Sequence, residues 1–229
     1  MCGRFRLTRA AKVAELFAID PDDDWVPRYN IAPAQDILVI RQHPEEPRRF
    51  GSEMRWGLIP FWAKDASIGY KMINARAETV ASKPAFCEAL KKRRCLIPGD
   101  GFYEWVKNGK TKTPFCFTMA DESIFAFAGI WEQWKNPEGK MVETCSIITT
   151  TPNTLLADIH DRMPVILPDD AYDLWLDPGF QKPDAISDLL KPFDPALMRR
   201  FEVSSRVNLI KNDEPECGKP VFQGNAATV

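Results

Sequence analysis

The sequence predicts an α+β protein, with mainly antiparallel sheets curling into a barrel-like core and helices at the periphery, as one domain over residues 1–229. Three observations carry that expectation. Short apolar or β-branched runs bounded by turn residues crowd the middle of the chain: ILVI at 37–40, FCF at 115–117, IFAFAGIW at 124–131 and CSIITT at 145–150. Asn108-Gly109, between GFYEWV and the run from Thr113, is a hairpin signal. Helical spacing is confined to a few short stretches, so no strand–helix–strand alternation builds a parallel doubly wound sheet.

In chain order, Thr8 is placed to cap a helix through Ile19, with Val13, Leu16 and Phe17 in its apolar stripe. Strands then dominate from about 35 to 167, interrupted by a short helix over 83–91. Pro168-Asp169 starts a helix over AYDLWL, and another fits 185–190. The polar tail after about Asn212 is expected to be loose.

Hydrophobic residues make up 45% and charged residues 27%, an ordinary globular mixture without a run resembling a membrane span. Arginines at 4, 6 and 9 and the lack of an apolar segment behind them argue against a secretory signal, so a cytoplasmic location is expected. Six cysteines, at 2, 87, 95, 116, 145 and 217, show neither metal-ligand spacing nor disulfide density, and there are only two histidines. Reduced thiols, no metal and no cofactor are expected. A net charge of −2 argues against indiscriminate coating of nucleic acid but permits a local groove. The basic clusters Arg4-Arg6-Arg9 and Lys91-Lys92-Arg93-Arg94 are by themselves more consistent with solvated faces.

Four stretches hold candidate chemistry. MCGRF at 1–5 puts Cys2 directly behind the initiator, and trimming of Met1 would leave a 1,2-aminothiol. Its amine and thiol titrate at roughly 8 and 8.5 when unperturbed, so both are partly deprotonated near neutrality. Such a group condenses with an aldehyde to an imine, and the thiol then closes a thiazolidine ring. INARAET at 73–79 places Asn74, Arg76 and Glu78 two apart, on one face if extended. GDGFYEWV at 99–106 sets Glu104 among aromatics, where partial burial would raise its pKa toward that of a proton shuttle. IHDRMP at 159–164 supplies His160, between Asp158, Asp161 and Arg162. Trp56, Trp62 and Trp105 are stacking candidates, although most tryptophans are core residues.

MCGRF, YNIAP at 29–33, RWGLIPFW at 55–62, INARAET, GFYEW at 101–105 and IHDRMPVIL at 159–167 occur in this order. The series resembles the SRAP (SOS response-associated peptidase) family, from Cys2 to about Asn208. The resemblance implies a covalent crosslink to abasic sites in single-stranded DNA, with Cys2 as nucleophile. It further implies that Asn74 positions the amine and sugar, and that Glu104 and His160 move protons. Arg4, Arg76 and Arg162 would contact phosphates, and Trp62, Trp105 and Thr149 would shape the groove. The same resemblance implies autoproteolytic removal of Met1, an associated lyase activity, and a monomer that meets abasic DNA, including at single-strand/double-strand junctions, and joins the nucleoid when bound. Relatives often carry two tryptophans where this chain has Phe61-Trp62.

Two other readings compete. An N-terminal-nucleophile glutamine amidotransferase-like hydrolase can also begin Met-Cys-Gly, but no acceptor domain or downstream arginine-glycine signature accompanies it here. A non-enzymatic single-strand binding module would bind abasic DNA without Cys2.

Overall fold

The computed structural model describes residues 2–21, 25–43, 45–46, 48–109, 111–180 and 186–221, without the side chain of Asn108. Strands β1 (Phe5–Leu7), β2 (Arg28–Ile31), β3 (Asp36–Gln42) and β4 (Arg49–Trp56) come first, with helix α1 (Val13–Phe17) after β1. Next are β5 (Asn74–Arg76), α2 (Ala77–Val80), α3 (Cys87–Lys92) and β6 (Arg94–Gly99). The long strands β7 (Gly101–Asn108), β8 (Thr111–Met119), β9 (Phe125–Lys135) and β10 (Met141–Thr150) follow. Two-residue strands β11 (Met163–Pro164) and β12 (Ile166–Leu167), then α4 (Tyr172–Leu176) and β13 (Met198–Glu202), complete the chain.

Strands β4, β3, β6, β9 and β10 form a closed five-stranded barrel. Closure falls on β10, which pairs antiparallel with β9 along one edge and parallel with β4 at Thr144↔Arg55 and Cys145↔Trp56 on the other. A second sheet, in the order β13-β8-β7-β1-β2, lies over the barrel. Aromatic edges lock the two layers: Phe5 meets Trp56 at 5.3 Å and Phe127 at 5.6 Å, and Phe102 meets Phe127 at 6.1 Å. Because β6 and the first half of β9 are covered on both faces, they read as continuous apolar runs rather than as alternating ones.

The expected strands at 37–40, 115–117, 124–131 and 145–150 all form, and the β7–β8 hairpin turns through Gly109 at φ +60°. The helices are shorter than expected. Thr8 caps nothing: its hydroxyl and its N–H both donate to the buried Asp100 carboxylate at 2.7 Å, so a 3-10 turn over Ala10–Lys12 precedes α1. The helix expected from residue 83 starts at Cys87, because Pro84 disfavours helical backbone at Lys83. Residue 185 lies outside the described residues, and 186–187 are helical.

The expected loose tail is corrected as far as Val221; residues 222–229 lie outside the described residues. Asp213 accepts from the backbone N–H of Asn30 at 2.9 Å, a 3-10 turn spans Pro215–Gly218, and Val203 bridges to Pro220. This segment covers the outer face of the second sheet, where Cys217 and Val207 pack on Tyr103 and Cys116. Polar composition hid this docking, because its anchors are backbone groups and one carboxylate rather than an apolar run.

Candidate active site

Cys2 lies three residues before the start of β1 and is 0% exposed. Burial, with the charge of Glu104 adding to it, pushes the thiol well above its usual range. The expectation that this thiol is partly deprotonated is therefore corrected: it rests as a neutral SH. Glu104 comes from β7, which runs antiparallel to β1 in the register Phe5↔Phe102, with the Tyr103 N–H on the Arg4 carbonyl at 2.9 Å. Strand alternation puts Phe102 and Glu104 on the same face, toward the barrel. Glu104 is 3% exposed, and burial raises its carboxyl to about 8.

A chain of interactions joins the other candidates to this pair. The charge of Asp161 acts on Glu104, and Lys107 of β7 acts on His160, which places the loop carrying both residues beside β7. His160 Nδ1 lies 2.9 Å from the Arg162 N–H and 3.0 Å from Asp161 Oδ1. Burial lowers the His160 pKa, so the ring is neutral near pH 7; with Nδ1 accepting from Arg162, its proton sits on Nε2. Arg200 holds the same loop in place by gripping the Asp158 carboxylate at 2.5 and 2.9 Å and the Leu155 carbonyl at 2.7 Å.

The guanidinium of Arg162 donates to the Thr149 carbonyl at 2.5 Å, and Thr149 is in register with Arg76 of β5, two residues from Asn74. Asn74 Nδ2 makes a long bond to the Ile147 carbonyl at 3.4 Å. Asn74 Oδ1 and Thr149 Oγ1 are buried acceptors without a hydrogen-bond partner among the described residues. Unfilled polar atoms at such a seam suit a polar substrate. Glu78 departs from the expected ridge: the strand ends at Arg76 and α2 begins at Ala77, so Glu78 turns away and meets Arg162.

Arg4 is not displayed as a phosphate contact. It is 9% exposed, and its Nη1 donates to Asn30 Oδ1 and to the Val207 carbonyl, both at 2.7 Å. Trp105 lies 5.8 Å from the Arg4 guanidinium and donates to Asn208 Oδ1 at 2.6 Å, so both residues brace the C-terminal segment. Asn30 is the hub the sequence reading missed. Its amide also reaches the carbonyls of Leu209 and Asn212, and the YNIAP stretch that contains it was the only signal. The basic clusters are largely neutralised within the fold: Arg6 faces Asp100 at 3.1 Å, and Lys91 and Lys92 both pair with Glu88. Arg76, by contrast, is exposed.

Trp62 stands 48% exposed on the β4–β5 loop, beside Phe61 at 60%, and Tyr70 on the same loop is 63% exposed. The loop is held rigidly. Ile59 N–H donates to Thr144 Oγ1 at 2.8 Å, and Trp134 Nε1 donates to the Ala63 carbonyl at 2.7 Å. At its base Gly57 adopts φ +136°, and a Cβ there would meet the Gly69 carbonyl oxygen at 2.7 Å. Gly57→Ala is therefore expected to destabilise the protein by about 1–3 kcal/mol and to weaken binding of single-stranded DNA as the aromatic platform shifts. Urea denaturation and fluorescence anisotropy read the two effects, and unchanged values in both would remove this role for Gly57.

Among the described residues, no group of three or more His, Cys, Asp or Glu side chains is placed to hold a metal ion, and no helix is long and apolar enough to cross a membrane.

Fold and site together define a class: a closed, mainly antiparallel barrel overlaid by a second sheet, with a cysteine near the N-terminus seated beside a proton-holding carboxylic acid. The family described as SOS response associated peptidase (SRAP) matches residues 1–210, and the chain belongs to it. Abasic site processing protein YoqW of Bacillus subtilis (strain 168) is 49% identical over 221 residues, spanning 94% of this chain and 98% of the relative. Abasic site processing protein HMCES of Gallus gallus is 30% identical, spanning 98% of this chain and 79% of the relative. A crystal structure of a Bacteroides thetaiotaomicron protein superposes with a TM-score of 0.87 at 30% identity, covering 96% of this chain and 100% of that one. The expected α+β barrel architecture agrees with that structure.

Proposed function

We propose that the chain processes abasic sites in single-stranded DNA by linking Cys2 covalently to the open-chain aldehyde of the lesion. The observation that carries this reading is the seating of Cys2 against Glu104, a nucleophile and a carboxylic acid raised to about 8. The names of the relatives support the choice of substrate.

Hydrolysis of the bond before Cys2 frees its α-amine. The amine adds to the aldehyde carbon and water leaves, giving an imine. The Cys2 S–H then adds across the C=N bond: sulfur bonds carbon, the proton ends on nitrogen, and a thiazolidine results. Ring closure consumes the imine, which otherwise acidifies the neighbouring sugar position and promotes β-elimination of the 3′ phosphate. The adduct thus shields the strand, and leakage from the imine accounts for lyase activity. Neutral Glu104 donates a proton to the sugar ring oxygen during opening while the anomeric hydroxyl gives its proton to water, and the conjugate base relays the thiol proton to the imine nitrogen during closure. His160 Nε2–H serves the same sugar from the other side, and Asn74 Oδ1 orients the amine. Arg76 and the platform of Phe61 and Trp62 hold the strand. Cofactors have no part in these steps.

Intact-mass spectrometry with an oligonucleotide carrying one abasic site tests this reading. A denaturation-stable adduct on chains beginning at Cys2, and none on Cys2→Ala, is expected. No adduct on chains shown to begin at Cys2 would sink it, and ammonia release from glutamine, lost in Cys2→Ala, would put the amidotransferase reading in its place.

A further inference from the structure

Arg162 is a buried fork with an exposed carboxylate in its grip. Its side chain is 8% exposed, whereas that of Glu78 is 48% exposed. Nη1 and Nη2 donate to the two carboxylate oxygens at 2.7 and 2.9 Å, and Nη2 is held from behind by the Thr149 carbonyl at 2.5 Å. The guanidinium is thus oriented by the barrel, while its partner sits on the solvent side, on the short helix α2 that follows β5. The charge of exposed Arg76 also acts on Glu78, so one carboxylate stands between two arginines.

A carboxylate and a phosphodiester each offer an arginine a pair of anionic oxygens that the guanidinium fork can bind bidentately. This fork adjoins the reacting groups, since the Arg162 N–H binds His160 Nδ1 at 2.9 Å and Thr149 neighbours Arg76 in register. We propose that Glu78 occupies the seat of a backbone phosphate next to the lesion, and is a specificity-determining residue that a phosphodiester must displace from Arg162. The inference rests on the reading that the chain binds single-stranded DNA, and extends it to how ordinary DNA is refused.

With Glu78 in place its carboxylate offsets the charge that Arg162 and Arg76 present, and an intact strand gains little by entering. Displacement exchanges one bidentate partner for another, so the phosphate adds little net affinity. The lesion overcomes this because its gain is covalent and lies at Cys2. An intact strand has no such gain, so Glu78 lowers unproductive occupancy.

The test is fluorescence anisotropy of an undamaged oligothymidylate against wild type, Glu78→Gln, Glu78→Ala and the double variant Glu78→Gln with Arg162→Gln. Glu78→Gln and Glu78→Ala are expected to bind about 3- to 10-fold more tightly than wild type. Their log–log salt dependence should steepen by about 0.7, the increment for one phosphate contact on a single strand. The double variant should lose both gains. Unchanged or weaker binding by the two single variants, with the salt slope unmoved, would overturn the proposal. Crosslinking to an abasic oligonucleotide is measured on the same preparations. A gain in affinity without any crosslink would preserve the Glu78 assignment and refute the covalent reading, whereas crosslinking with no gain in affinity would do the reverse.

Discussion

Glu104→Gln is expected to slow crosslink formation by about 10²- to 10⁴-fold, the range for loss of a general acid–base group, while leaving affinity for single-stranded DNA within about twofold. The amide keeps the shape and polarity of the side chain and can still hydrogen-bond a sugar oxygen, but it can neither transfer a proton to that oxygen nor take up the thiol proton. A carboxyl held at about 8 by burial is mostly protonated at pH 7, so it begins the reaction as the acid. The wild-type rate should therefore show an inflection near pH 8 that is absent from the Gln variant. Single-turnover crosslinking quenched in denaturant measures this, and a wild-type rate in the variant would remove Glu104 from the mechanism.

Stability gives a second, independent reading of the same group. Between its ordinary value of 4.5 and about 8, folded Glu104 holds a proton that the unfolded chain releases. Its contribution therefore falls as pH rises through that window and is at its most unfavourable above it. Glu104→Gln should gain stability relative to wild type from acid to mildly alkaline pH. Parallel stability–pH curves for the two proteins would show that the carboxyl is not shifted.

The largest expected loss of stability falls far from the site. Arg94, 5% exposed at the start of β6, donates to five carbonyls: Leu90 and Lys91 at the end of α3, Trp175 in α4, and Asp177 and Phe180 beyond it. Both helices end with carbonyls that lack an intrahelical partner, and one cation satisfies them across more than 80 residues of sequence. Arg94→Met keeps much of the apolar stem but strands these acceptors in a buried place. The expected cost is about 3–5 kcal/mol, because each buried carbonyl left without a donor costs about 1–3 kcal/mol and only some of them can be reached by water. For a protein of this size that is a fall of roughly 6–20 °C in Tm. Arg94→Lys should recover only part of it, since an ammonium has three donors and no planar fork. Denaturation by urea measures both variants, and a loss below about 1 kcal/mol for Arg94→Met would mean that water replaces the guanidinium.

The sequence by itself determined the strands and the β7–β8 turn, and it supplied the candidates that the proposed chemistry uses. Strand alternation and turn chemistry act over a few residues, so ILVI, IFAFAGIW and Asn108-Gly109 declare themselves locally. The aminothiol chemistry of a terminal cysteine is likewise a property of one residue, and the aromatic setting of Glu104 already pointed to a raised pKa. Tertiary structure alone decided which charges face solvent and which are already paired. Arg4 turned inward to a carbonyl 203 residues away, Arg162 took a carboxylate 84 residues away, and Thr8 left its helix for Asp100 92 residues away. The tail beyond Asn212 became a structural layer for the same reason. A charged or polar side chain is stabilised by whichever buried partner the fold brings to it, and nothing in its local sequence says which that is.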